Sequence, residues 1–277
     1  MNKEIEFYEY LVREEAYDAA TQVCYAFRRG TDERRGIVLS LGNMVSGYPF
    51  EMQGVRFHNS ECAYIAGAFS GGTAGHRALQ AQLASCTNGF LAKKAIRRPH
   101  EGEKRQDWEE FNVEWMLCCV WAKCLGNEAF RRLLLSLPAD AVIIEDSTFQ
   151  AGRTATVWGT RNLELKRRLR LCQKELKARG MNRAAIRRTL DAQRLGAWAE
   201  VGTFRGKNVM GKILMACRDA LRQGTEPPID YALLAGKQID LLGRPVAFPG
   251  EARVVSPVAS RVALSVRSEP AVAVRRA

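Results

Sequence analysis

Tyr48-Pro-Phe-Glu-Met-Gln-Gly-Val-Arg-Phe-His-Asn-Ser-Glu-Cys-Ala-Tyr-Ile-Ala-Gly-Ala-Phe69 changes character twice along its length. It reads as a tight turn, a short strand from Gly54 to His58, and then a helix from Ser60. Ser60 is a good N-cap, and Glu61 falls in the first helical turn, where the backbone dipole favours a carboxylate. Tyr64, Ala68 and Phe69 continue the helix with apolar residues. A carboxylate at a helix mouth, backed by aromatics, can do chemistry. It can equally be a plain helix-start charge, and the stretch alone leaves both readings open.

The 277-residue chain is 47% hydrophobic, enough to bury a sizeable core. No run approaches the roughly 18 apolar residues of a membrane span. The longest, Leu133 to Ile144, is interrupted by Ser136, Pro138 and Asp140. Residues 1–8 lack the basic and apolar regions of a secretory signal, so a cytoplasmic location is expected. The eight cysteines include no CxxC pair, and those at 118, 119 and 124 lie in an apolar, helix-like run. They read as buried free thiols. His58, His76 and His100 sit at no ligand spacing, so neither a metal nor another cofactor is expected.

The net charge of +12 is unevenly spread: residues 160–205 hold thirteen Lys/Arg against four acids. This segment reads as a helical hairpin with arms of about 162–179 and 183–197, broken at Gly180. Its charge is either a solvated face or a nucleic-acid contact. In the second case Lys166, Arg167, Arg168, Arg170, Arg187 and Arg188 would meet the phosphates.

Elsewhere, residues 4–8 alternate like a strand, 9–35 are charged and helix-prone, and Ile37 to Ser40 is a second short strand. Ser70 to Gly75 breaks the first helix, and another follows over His76 to Ala84. Asp107 can cap a long helix in which Trp108, Phe111, Trp115, Cys118, Cys119 and Ala122 recur at three-to-four spacing. Asn127 caps the next helix, with an apolar face of Phe130, Leu133, Leu134 and Leu137, and Pro138 ends it. Ala141 to Glu145 is a buried strand. Residues 148–159 form a loop, where Trp158 is the aromatic best placed as a stacking surface.

Gly206-Lys-Asn-Val-Met-Gly-Lys-Ile213 has GxxxxGK spacing, but Ile213 stands where a P-loop needs Ser/Thr and no hydrophobic strand is expected before it. An NTPase is excluded on that basis. What remains is Asn208 opening a helix over Val209 to Leu221, as a simple cap or with free N–H groups for a phosphate. The helix has a buried face of Met210, Ile213, Leu214, Cys217 and Leu221. Ile229 to Leu234 and Gln238 to Leu242 read as a β-hairpin extension over 225–248. From 249 to 277 the composition is that of a disordered tail.

Taken in order, Ile5-Glu-Phe-Tyr8, Asn43, Pro49-Phe50, Gly54, Phe57, Ser60-Glu61, Ala63-Tyr64, Ala66 and Phe69 resemble the NADAR family of YbiA-like N-glycosidases. The resemblance continues through Ala92-Lys93, Arg97, Asp107-Trp108, Met116, Lys123, Leu133-Leu134-Leu135, Ile144-Glu145-Asp-Ser147 and Trp158-Gly159. It ends on Gly206-Lys-Asn-Val-Met-Gly-Lys-Ile-Leu-Met-Ala-Cys-Arg218. It spans about 5–222, with additions over roughly 9–36 and 160–201. It implies an α+β fold over 1–224, a mostly helical single domain with a small sheet, carrying the basic hairpin as an insertion.

The family cleaves N-glycosidic bonds of ribose-linked compounds, including riboflavin-pathway pyrimidine intermediates and ADP-ribose on guanine. The resemblance makes Glu61 the catalytic carboxylate, Trp108 an active-site Trp, and Asn208 with its neighbours a ribose-phosphate loop. Asn43, Tyr64, Trp158, Gly206, Gly211 and Arg218 complete the expected substrate-binding set. The implied partner is an ADP-ribose- or ribose-phosphate-linked small molecule or modified base, with no metal and no membrane, and nucleic acid through residues 160–205. Cys62, Ile65 and Ala68 replace the family's usual His, Gln and Lys, and Ala155 replaces an Asp three residues before Trp158. A degenerate ADP-ribose- or nucleotide-binding module, or a nucleic-acid-binding protein using the hairpin, are therefore the alternative readings.

Overall fold

A computed structural model describes residues 3–28, 30–152 and 154–249 of the chain, so the tail expected beyond Pro249 lies outside the described residues. Helix α1 (Lys3–Val12) is followed by the short strands β1 (Glu15–Asp18), β2 (Cys24–Phe27), β3 (Glu33–Arg34) and β4 (Ile37–Val38). The hairpin β5 (Phe50–Met52) and β6 (Val55–Phe57) leads into α2 (Ser60–Ala68), α3 (Ala74–Ser85), the single turn α4 (Gly89–Leu91) and a π-helical turn over Ala92–Arg97. Helices α5 (Trp108–Gly126) and α6 (Glu128–Ser136) precede β7 (Val142–Glu145), α7 (Thr154–Trp158) and β8 (Arg161–Asn162). The basic segment is the helical hairpin α8 (Leu163–Ala178) and α9 (Arg183–Leu195), with Gly180 at positive φ between the arms. Then come β9 (Thr203–Gly206), α10 (Val209–Gln223), α11 (Tyr231–Gly236) and the hairpin β10 (Asp240–Leu241) and β11 (Arg244–Pro245). The class is α+β, mostly helical, with the strands in small separate sheets.

Several local expectations change. Residues 4–8 are helical, not extended, and the Lys212 ammonium closes the end of α1 by donating to the Tyr10 and Arg13 carbonyls at 2.7 and 2.8 Å. Of the helix-prone segment 9–35, residues 9–12 complete α1 and the rest supplies strands. β1 pairs antiparallel with β9, and β2 pairs parallel with β7. Distant pairing has overridden local propensity there. The loop before Trp158 closes into α7. Ile229 to Leu234 is not a strand: Asp230 caps α11 by accepting from the Leu233 N–H at 2.8 Å, and the β-hairpin starts only at Asp240. β9 leads directly into Gly206, although no strand was expected before that glycine.

The parallel pair β2–β7 divides two cores, and its two-residue alternation decides which side chain goes where. Tyr25, Phe27 and Ile143 enter the main core with α2, α5, α6 and α10. Cys24 and Ile144 enter a second, smaller core with Tyr17, Ala19, Leu165, Leu169 and Phe204. That second core is built mainly from the two segments read as additions, 9–36 and 160–201, which pack on one another.

β7 has its other edge covered by a side chain. The amide of Asn208 donates to the Ile143 carbonyl at 2.8 Å and accepts from the Glu145 N–H at 3.1 Å, in the way a further strand would. Asn208 holds the left-handed conformation (φ 53°) at the start of α10 and makes no cap bond with its side chain. Gly211 allows the approach, since a Cβ there would lie 2.1 Å from the Ile143 oxygen. Asn208→Ala orphans a buried carbonyl and a buried N–H, and is expected to lower stability by about 2–4 kcal/mol. Asn208→Gly relaxes the backbone but loses the same two bonds. A glycine variant as stable as wild type in urea denaturation would remove the bracing role.

Candidate active site

The β5–β6 hairpin delivers the chain into α2, a helix whose residues are buried all round. The N-cap is Asn59, one residue before the expected Ser60, and its Oδ1 accepts from the Cys62 N–H at 3.0 Å. Ser60 instead accepts from the buried Lys123 ammonium at 3.1 Å and donates to the Asn43 carbonyl at 3.4 Å. Asn43 holds Glu61 twice. Its carbonyl accepts the Glu61 N–H at 3.0 Å, and its side-chain amide donates to Glu61 Oε2. Glu61 is 2% exposed, and its Oε1 is buried with no hydrogen-bond partner, 4.0 Å from the Lys93 ammonium. Burial raises its pKa above the ordinary carboxyl value, opposed by the charges of Lys93 and then Arg97.

Glu145, at the end of β7, is the second carboxyl of this site. Burial pushes it up to about 7, the Glu61 charge pushes the same way, and Lys93 pulls it down. Its side chain is partly open to solvent. Lys93 therefore acts on both carboxyls, and it stands on the π-helical turn with Arg97. Such single π turns recur at functional sites.

An aromatic wall stands beside the carboxyls. Tyr64 sits one turn after Glu61, with ring centroids 4.9 Å from Trp108 and 5.5 Å from Trp158, the latter edge-on. Burial raises the Tyr64 hydroxyl, so it stays protonated. The expected residues Asn43, Glu61, Tyr64, Trp108 and Trp158 thus gather in one place. Gly206 packs against the Gly159 and Thr156 carbonyls near Trp158. Asn208 and Gly211 brace β7, and Arg218 is buried, donating to the Pro138 and Ala141 carbonyls at 2.9 and 2.7 Å. Asn208 and Arg218 thus have their side chains engaged with the protein's own backbone. Asp107 caps nothing with its side chain, because Arg105 holds its carboxylate at 2.6 and 3.0 Å.

Four positions singled out in the sequence are apolar and inward. Cys62, Ile65 and Ala68 all belong to the main core, and Ala155 is buried in α7. Lys166, Arg167 and Arg170 share one face of α8, Arg168 is tied to Glu164 at 2.8 Å, and Arg187 and Arg188 are exposed on α9. No role is expected from sequence for Lys93, Arg97 or Glu145. The available signals are the basic run Lys93-Lys94-Ala-Ile-Arg97 and a carboxylate ending an otherwise apolar strand.

Neither a protein-family model nor a curated protein matches the chain. Among solved structures it is similar to the E. coli protein YbiA, determined by NMR, at 18% identity and a TM-score of 0.46, over 74% of this chain and 88% of that one. No site assignment rests on that likeness. No helix among the described residues is long and apolar enough to cross a membrane.

Glu145 provides a test of the electrostatics. Its folded-state pKa of about 7 lies above the ordinary carboxyl value of about 4.3, so folding takes up a proton between these limits. The stabilising share is intact below about 4.3 and is lost as pH rises through 7. Glu145→Gln is expected to stabilise the protein by about 1–2 kcal/mol at pH 8, after a discount for the solvent reaching the carboxyl. At pH 4 it should change little. Urea midpoints at both pH values measure this, and equal shifts at both would mean that the carboxyl is not desolvated.

Proposed function

We propose that the chain is an N-glycosyl hydrolase cleaving a base–ribose bond in an ADP-ribose- or ribose-phosphate-linked substrate, with Glu61 as the catalytic carboxylate. One observation carries the reading: two electrostatically coupled carboxyls, one buried with an unpartnered oxygen and one near neutrality, stand beside three aromatic rings under a lysine. Departure of a base from ribose builds positive charge at the anomeric carbon, which a carboxylate stabilises while taking a proton from the attacking water. Glu61 fills that role. The leaving base needs a proton, and a carboxyl titrating near 7 holds one at working pH, which suits Glu145. The half-buried ring of Trp158, with Tyr64 and Trp108 packed beside it, suits a base, and Lys93 with Arg97 suits the phosphates.

The hairpin gives the reading its polyanion. Arg167, Arg170 and Lys174 are exposed on α8 with Lys166 half-buried beside them, suited to a phosphate backbone when the modified base belongs to a nucleic acid. Deleting the hairpin is a poor test, because Leu165 and Leu169 help seal the second core. Reversing the charge of Lys166, Arg167 and Arg170 together leaves that core intact. It should lower the slope of log affinity against log salt by about two to three. An unchanged slope would remove nucleic acid from the substrate.

The catalytic proposal is tested by chromatography of the base released from an ADP-ribosylated guanine substrate. Glu61→Gln is expected to reduce turnover by about a thousandfold, within the usual range for loss of a positioned acid or base. Equal turnover in both proteins would sink the role of Glu61. Calorimetric binding of ADP-ribose without turnover by wild type would instead make the chain a binding module. The buried, apolar Ile65, Ala68 and Ala155 favour that second reading.

A further inference from the structure

Between the two arms of the hairpin and the loop after β7 lies a cleft of about 610 Å³ that includes none of the residues around Glu61. Its volume is that of a small-molecule site. Leu169 and Ile186 are buried in its walls, Leu190 and Met181 are half-buried, and Phe149 stands 45% exposed at its edge. Two cations flank that ring, with Arg28 and Lys166 at 5.7 and 6.0 Å from its centroid.

The charge around the cleft is predominantly positive. Arg28, Lys177, Arg183, Arg187 and Arg194 line it against a single acid, Asp191. That acid is held by Arg28 at 2.8 Å, and Arg187 lies 3.9 Å from it. Arg194, 3% exposed, is neutralised by Asp32 at 2.6 Å and Asp146 at 3.5 Å, yet its Nε is buried and has no partner. Lys177 and Arg183 are exposed and have no carboxylate within ion-pair distance among the described residues. The cleft thus offers an apolar lining and two uncompensated cations at its rim. With five cations against one engaged carboxylate in the lining, an anion is favoured over a cation.

We propose that this cleft is a second binding site, for a small amphipathic organic anion. Its aromatic or aliphatic body lies among Leu169, Ile186 and Leu190, and its phosphate, sulfonate or carboxylate group meets Lys177 and Arg183. The site owes its walls to the hairpin and is independent of the hydrolase reading. Arg194 connects it to the rest of the molecule, since the same guanidinium that lines the cleft binds Asp146, the residue after Glu145.

The full chain is titrated with 8-anilinonaphthalene-1-sulfonate, an aromatic sulfonate of this class, and its fluorescence is followed. One saturable site is expected, and the neutral analogue N-phenyl-1-naphthylamine should bind at least tenfold more weakly. The double reversal Lys177→Glu/Arg183→Glu changes only exposed side chains and is expected to weaken the sulfonate at least tenfold with an unchanged thermal midpoint. Lys177→Gln/Arg183→Gln repeats the test without added negative charge and should give an intermediate loss. Leu190→Trp, which fills the cleft, should weaken both probes. Undiminished sulfonate binding in the double variants, or equal affinity for the neutral probe, overturns the proposal.

Discussion

β7 is a buried strand with one strand partner, and a buried strand must have its backbone polar groups satisfied on both edges. β2 covers one edge in parallel register, from Cys24 opposite Val142 to Phe27 opposite Glu145. The other edge is completed piecemeal. Asn208 takes the Ile143 carbonyl and the Glu145 N–H, and the Thr160 N–H takes the Glu145 carbonyl at 2.9 Å. This requirement fixes where α10 begins, why a left-handed Asn sits there, and why Gly211 lies a turn later. It also fixes the backbone of Glu145, so the second carboxyl of the site stands on a strand braced on both edges.

The hairpin is bound into the same frame by charge. Arg194, Asp32 and Asp146 form a buried ion cluster joining α9, the turn before β3 and the end of β7. Buried ion pairs contribute little net stability compared with apolar packing, but removing one partner costs about 3–5 kcal/mol. The cluster therefore acts as a register device: α9 has only one place to sit in which Arg194 is compensated. Segments 9–36 and 160–201 look like additions in the linear sequence. In space, one supplies Tyr17 and Cys24, the other Leu165 and Leu169, and together they cover the face of β2–β7 that the main core leaves open.

The sequence makes the long periodic helices legible. α5, α6, α10 and both arms of the hairpin carry apolar residues at three-to-four spacing and have Asn or Gly at their ends, so local chemistry alone sets them. β1 and β2 are illegible for the opposite reason. Each has four residues, and their partners lie more than a hundred residues away, so the strand preference of Val23, Tyr25 and Phe27 is too short a signal among the flanking charged and helix-prone residues. Glu61 is visible because a carboxylate in a first helical turn is a local pattern. Glu145 and Lys93 acquire meaning only from their position beside it, which three separate elements determine. The GxxxxGK spacing is a true local pattern with a different use, since its Asn208 braces β7 and its Lys212 closes α1.

Charge is held beside an apolar α2. Cys62, Ile65 and Ala68 all turn into the main core, so the helix that carries Glu61 contributes no second charged group beside it. Compensation comes from elements that approach from outside, Asn43 from the loop before β5 and Lys93 and Arg97 from the π turn, while Glu145 from β7 brings a like charge. A π turn places an extra residue in the helical cycle and so re-aims the side chains around it. That allows Lys93 to act on Glu61 and Glu145 together. With cation and carboxyls on different elements, the balance of charge depends on how the π turn sits against β7. In this chain the protonation of the site is therefore a property of packing between elements, and Cys62, Ile65 and Ala68 on α2 serve the core.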